Sequence, residues 1–259
     1  MTAEQISALG RTLFAGLATG LGGLLALGPK PTPRAMAAAM GFAAGVMTAV
    51  SLTDLLPTAL GWYRRAFSPE GAALALVSLL CMGMALAALL ERCLPEQTGR
   101  GLDERRAGAL RSALITGAAL VLHNLPEGMV VGLAAALALE GSPEAVSGAL
   151  ALALGIGLQN IPEGAAVSLP LLRSGQSRGR AFLAGAASGL VEPLGGLLAL
   201  AVAGWVSAAL PWLMSAAAGC MVCVTAQEMI PQAVEPDESA GVISIVLGFA
   251  LMMALDVAL

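Results

Sequence analysis

At 259 residues the chain could hold one or two soluble domains. Its composition excludes that reading: 58% of residues are hydrophobic, only 12% are charged and mean hydropathy is +0.84, whereas soluble domains carry about 25% charged residues. The net charge of -4 says little about partners, because the charges cluster in the connections, and no nucleic-acid partner is expected.

A helix crosses the hydrocarbon with about 20 mainly apolar residues. Eight segments qualify in chain order, at about 5–27, 35–60, 70–91, 107–139, 144–172, 181–203, 206–233 and 240–259. The expected fold is an all-α integral membrane protein, one transmembrane domain over 1–259. The first segment has no charged leader or small-residue cleavage site before or after it, so it is expected to stay as a span. Prolines and charges mark the connections, notably Gly28-Pro29-Lys30-Pro31 and Glu91 to Arg106. Thirty-two glycines and few aromatics suit helices that pack closely through small residues. Of the four cysteines, Cys81, Cys93, Cys220 and Cys223, the last two have C-x-x-C spacing but lie in an apolar helix and read as small buried hydrophobes rather than a zinc or redox pair.

With eight spans, the 1–2, 3–4, 5–6 and 7–8 connections share one side. That side holds ten basic residues (Lys30, Arg34, Arg92, Arg100, Arg105, Arg106, Arg111, Arg173, Arg178, Arg180) against three on the other (Arg11, Arg64, Arg65). The basic side is expected to be cytoplasmic and both termini outside.

The chain also repeats itself. Residues 21–27, LGGLLAL, recur identically at 194–200, an offset of 173. At an offset of 174, Ala43-Ala44-Gly45 matches Ala217-Ala218-Gly219, Met47 matches Met221, and Ser51, Asp54 and Pro57 fall on Thr225, Glu228 and Pro231. Shared Ala/Gly/Leu bias explains the first match but not an acid and a proline in register with both. Five spans of displacement invert the repeat, so units of about 1–91 and 181–259 are expected around two central helices at about 107–172, a 3+2+3 arrangement. Inverted repeats with interrupted helices are characteristic of secondary transporters.

The chemistry lies in a doubled phrase. His123-Asn124-Leu125-Pro126-Glu127-Gly128 is answered 36 residues later by Gln159-Asn160-Ile161-Pro162-Glu163-Gly164, each copy deep in apolar sequence, where polar groups are costly and usually functional. His123 or Gln159 sits four residues before its Glu and Asn three before, so each set shares one helical face. Pro126 and Pro162 release the carbonyls of Leu122 and Leu158. Glu192, followed by Pro193, stands where the first span has Thr19-Gly20. Three bare carboxylates, Glu127, Glu163 and Glu192, repel in a low dielectric; two divalent cations would over-neutralise them, and protonation is the alternative. One imidazole with carboxamides and carboxylates suits Zn2+, Fe2+, Mn2+ or Co2+ as bound substrate rather than cofactor, and argues against Cu(I).

The outlying polar residues have plainer readings too. Asp54, Glu228 and Asp256 could sit at wet helix ends, and Met47 and Ser51 could simply pack. Their repeat-related or mouth-like positions make all five candidate pathway residues. Asp54 and Glu228 would attract cations at opposite mouths.

The paired motifs resemble those of the ZIP (Zrt/Irt-like) family of divalent metal transporters, especially its short bacterial members, over nearly the whole chain. The resemblance implies that His123, Glu127, Gln159 and Glu163 line one metal position. Asn124, Asn160 and Glu192, sharing Glu127 and Glu163, would line a second. It further implies a homodimer in the plasma (inner) membrane that moves Zn2+ and related ions, Cd2+ included, into the cytoplasm. The chain departs from the family pattern at Gln159, where many members have His, and in lacking a histidine-rich 3–4 loop. An enzyme is not expected: an intramembrane metallohydrolase usually needs two His on one turn, and this chain has a single His. A metal-selective channel or metal-sensing receptor is the non-enzymatic rival.

Overall fold

A computed structural model describes residues 2–29, 31–94, 98–138, 143–201 and 203–258, without the side chains of 4 and 203–208. Lys30, one of the ten basic residues, lies outside the described residues. Eight helices are long and apolar enough to cross a membrane: α1 Gln5–Ala26, α2 Pro33–Ala66, α3 Pro69–Cys93, α4 Glu104–Leu137, α5 Pro143–Arg173, α6 Arg178–Ala201, α7 Ala209–Val234 and α8 Glu238–Ala258. The expected bounds hold to a few residues except at the end of α2, which runs to Ala66.

Starts are capped as the sequence dictates. Thr32, Ser68, Asp103 and Ser177 each accept a backbone N–H from the first turn of α2, α3, α4 and α6. Large aliphatic side chains along α3 (Leu74, Val77, Leu89) and α8 (Val242, Val246, Leu247) are exposed, which a hydrocarbon solvent permits and water does not.

Three irregularities interrupt the helices, each beside a proline. Pro57 and Pro231 have no N–H, and each ring crowds the carbonyl four residues earlier. The chain relieves both by a π turn: Val50–Leu55 in α2, with Leu56 donating to Ser51 O, and Thr225–Met229 in α7, with Ile230 donating to Thr225 O. The two turns differ by the sequence offset of 174. In α6, Pro193 crowds Gly189 in the same way, and the helix breaks into a turn at Gly189–Leu190, just before Glu192.

Packing follows one pattern. The helices pair α1 with α5, α4 with α6, α2 with α8 and α3 with α7, while α1 crosses α6 and α4 crosses α5. Exchanging α1 for α6, α2 for α7, α3 for α8 and α4 for α5 leaves this set of pairs unchanged. Glycines make the crossings close. A Cβ on Gly16 would strike Gly189 O, and one on Gly189 would strike Gly16 O. A Cβ on Gly164 would strike the backbone of Thr19, and one on Gly128 that of Glu192. The same holds for Gly22 against Ile161 and Gly195 against Leu125. Each pair maps onto its counterpart by offsets of 173 and 36. On the other side, Gly45 meets Ile245 where Gly219 meets Leu80, and Gly248 meets Phe42 where Gly83 meets Ala216. These contacts equate α8 with α3 at an offset of 165, which also sets Val77 on Val242, Gly83 on Gly248 and Leu86 on Leu251.

Candidate metal centre

Both doubled motifs are buried in the middle of unbroken helices, α4 and α5. On α4, His123 and Glu127 lie one turn apart with Nε2 3.2 Å from Oε1. Glu163 reaches across from α5, its Oε1 3.8 Å from the same imidazole nitrogen. Ligand atoms of His123, Glu127 and Glu163 lie within 4.8 Å of one another. At such separations two carboxylates repel by about 3–4 kcal/mol in an effective dielectric near 20, so the cluster favours a cation. Gln159 completes the ring, its Nε2 donating to Glu127 Oε1.

A second group lies towards α6. Asn160 Nδ2 donates to Glu192 Oε1 and to Ala15 O, the latter at 2.9 Å. Glu127 Oε2, Asn160 Oδ1 and Glu192 Oε2 are buried without a hydrogen-bond partner among the described residues. A buried acceptor without a donor is costly, and an oxygen-seeking divalent cation satisfies several at once. The Asn124 carboxamide has one end 3.4 Å from Ser188 O. Its other end lies 3.0 Å from Leu120 O and 3.1 Å from Glu163 Oε2. With nitrogen at that second end it donates to both; with oxygen there, only a cation reconciles it with Glu163. Asn124 to Ser188 and Asn160 to Ala15 are again related by the offsets 36 and 173.

The seven motif residues therefore come together as one buried centre offering one nitrogen and many oxygens. The ZIP zinc-transporter family model matches residues 95–256, which carry every one of them. The chain belongs to the ZIP family. Relatives named zinc transporter ZupT support this along the whole length. The protein from Corynebacterium aurimucosum is 34% identical, covering 93% of this chain and 92% of its own. That from Corynebacterium glutamicum is 34% identical over 96% and 97%, and that from Escherichia coli 34% over 93% and 95%.

In this ZIP chain the pathway candidates divide by place. Asp54 and Asp256 line a cavity of about 220 Å³ with Gly155, Ile156 and Gln159, opening at the end of the bundle that holds both termini. Glu228 lines another of about 430 Å³ at the opposite end, with Ser112, Arg173 and Gln232. None of the seven motif residues lines that second cavity. Met47 and Ser51 line neither: Ser51 is buried and donates to Met47 O at 2.9 Å, and Met47 packs with Met221, Leu120 and Val224. Sequence reasoning missed the reason for the final glycine of each motif, which admits the backbone of α6 or α1. It also missed the carbonyls of Ala15 and Ser188 beside the two Asn. Extending the 173 offset back to Gly16 and Gly189 would have pointed to both.

Proposed function

We propose that this ZIP-family chain imports divalent transition-metal ions across the plasma membrane into the cytoplasm, with Zn2+ first among Fe2+, Mn2+, Co2+ and Cd2+. The observation that carries the reading is the buried His123–Glu127–Glu163 cluster beside unpartnered oxygens of Glu127, Asn160 and Glu192. His123, Glu127 and Glu163, closed by Gln159, form the first metal position. Asn124, Asn160 and Glu192, sharing Glu127 and Glu163, form the second. The metal is substrate, and the protein supplies ligands and a route rather than covalent chemistry.

The route alternates. The cavity at the termini end reaches Gln159, whereas the opposite cavity stops at Ser112 and Gln232 beneath a packed block of Met47, Leu120, Met221 and Val224. A sealed block on one side favours a carrier over a continuous pore. An inverted repeat of α1–α3 and α6–α8 around α4 and α5 supplies the opposite state by exchange. The symmetric helix pairs, the matched π turns and the matched glycine contacts support it. The same register sets Glu91 against Asp256 and Glu228 against Asp54, as acids for the two mouths. Both termini lie outside, on the arginine count, and the homodimer is an expectation carried by the family resemblance.

The test is uptake of several radiolabelled divalent metals into proteoliposomes, with and without a proton gradient. Saturable uptake that falls to background in Glu127→Ala and Glu163→Ala at matched protein levels is expected. Near-normal uptake in either variant would remove this centre from the pathway.

A further inference from the structure

Arg173 and Glu235 meet where two spans end. Arg173 lies in the last turn of α5, where a cation suits the negative end of the helix dipole. Glu235 caps the end of α7, where an acid meets that same negative end and needs compensation. The compensation comes from across the bundle, because Arg173 Nη2 lies 3.5 Å from Glu235 Oε2. Helices α5 and α7 are not among the packed pairs, so the charges tie the set α1, α4, α5 and α6 to the set α2, α3, α7 and α8. Arg173 and Glu235, with Arg105 of α4, also form the wall common to two cavities. One is the cavity of about 430 Å³ that holds Glu228, and the other, of about 370 Å³, is lined by Pro31, Pro33, Met36 and Pro236. The pair therefore stands across the mouth at the end opposite the termini.

The repeat supplies no counterpart. Offsets of 36 and 174 carry Arg173 onto Leu137 and Glu235 onto Gly61, both uncharged, at the termini end. Resting on the alternating route above, we propose that the Arg173–Glu235 pair is a latch that biases an otherwise symmetric scaffold towards the state closed at this mouth. Two states related by exchange are equal in free energy where their contacts repeat, and a contact made in one state alone shifts their ratio by its own strength. The two side chains are 26% and 62% exposed, so the shift is modest, on the order of two- to five-fold. A modest latch lets the empty carrier wait open at the termini end without stalling turnover.

The experiment uses the full chain without native cysteines in lipid nanodiscs, where both ends are accessible and orientation does not enter. Ser112→Cys reports the mouth at the latch and Ala151→Cys the cavity at the termini end, each by its rate of thiol labelling. Arg173→Ala and Glu235→Ala are each expected to raise the Ser112→Cys rate two- to five-fold and to lower the Ala151→Cys rate. The double variant should add little to either. The charge swap Arg173→Glu with Glu235→Arg should return both rates towards the parent values. High salt should raise the Ser112→Cys rate in the parent but not in the double variant. Unchanged rates in both single variants, or a swap that restores nothing, would overturn the latch. A rise at Ser112→Cys without a fall at Ala151→Cys would mean local loosening and would overturn it too. Zn2+ is the control for the reading beneath it, because in the parent it should move the two rates in opposite directions. If it does not, the alternating route fails and the latch with it.

Discussion

Glu127 is the residue on which the centre turns. One of its oxygens faces His123 and Gln159, and the other is buried without a hydrogen-bond partner. That division suits a carboxylate bridging two positions. Glu192 is different, because it reaches only the second group, through Asn160. Its removal should separate the positions. Glu192→Gln is expected to lower the metal bound after dialysis from two ions per chain to one, with the Co2+ spectrum of the first position preserved. Elemental analysis of the dialysed protein measures this, and two ions retained would take Glu192 out of the ligand set. The carbonyl of Ala15, which accepts from Asn160 Nδ2, shows how that carboxamide is aimed, whereas Asn124 has Ser188 O at one end and Leu120 O with Glu163 Oε2 at the other. An amide in lipid takes its orientation from whichever backbone group it can reach.

At the scale of the element, proline sets local geometry without breaking the spans. Pro126 and Pro162 stay inside continuous helices, whereas Pro57 and Pro231 each bring a π turn that carries an acid. A π turn holds one extra residue and so rotates the rest of the helix by roughly 100° relative to a regular α-helix. In α2 the hydroxyls of Thr48, Ser51 and Thr53 donate to carbonyls four residues back, at 2.7, 2.9 and 3.0 Å, a pattern that also favours bending. The π turn in this view aims Asp54 into the cavity. Pro57→Ala and Asp54→Asn should then raise the apparent KM for metal by similar factors, leave the maximal rate nearly unchanged, and combine less than additively. Additive effects in uptake kinetics would mean that proline and acid act independently. At the far end of α2, Tyr63 donates to Pro211 O at 2.9 Å and lies 2.7 Å from Ser215 Oγ. Trp62, Phe67 and Trp212 surround it, tying α2 firmly to α7.

For the whole molecule, the direction of transport rests on orientation. Described basic residues gather at the α1–α2, α3–α4 and α5–α6 ends, among them Arg34, Arg92, Arg106, Arg173 and Arg178. That end is proposed as cytoplasmic. Cysteines placed at the two termini of a variant lacking native cysteines should label from outside in intact cells, while Thr98→Cys should label only after permeabilisation. The reverse pattern would turn the molecule over and change import to export. The symmetric packing supports the proposal that the same scaffold takes two related states. Its cost is the glycine content, because the approaches of α1 to α5 and α6, α4 to α6, α2 to α8 and α3 to α7 each use residues without a Cβ.

The sequence by itself determined the span count and the membrane class, and it named the residues that gather in the buried cluster proposed as the centre. Each is written in local periodicity: apolar runs of fixed length, and polar residues three and four apart on one helical face. It also carried the internal repeat, most plainly in the residues shared by α1 with α6 and α2 with α7. Only the tertiary structure fixed the register of α3 against α8, because the identities at the 165 offset are small and aliphatic residues common to every span, and the close glycine contacts decide between registers. Only it revealed the break at Gly189–Leu190 and the π turns, since a proline specifies a lost donor but not how the helix absorbs the loss. Gln159 shows the same limit most plainly. Its place in the motif was legible, but whether an amide turns its nitrogen or its oxygen inward depends on neighbours from another helix, here Glu127 of α4.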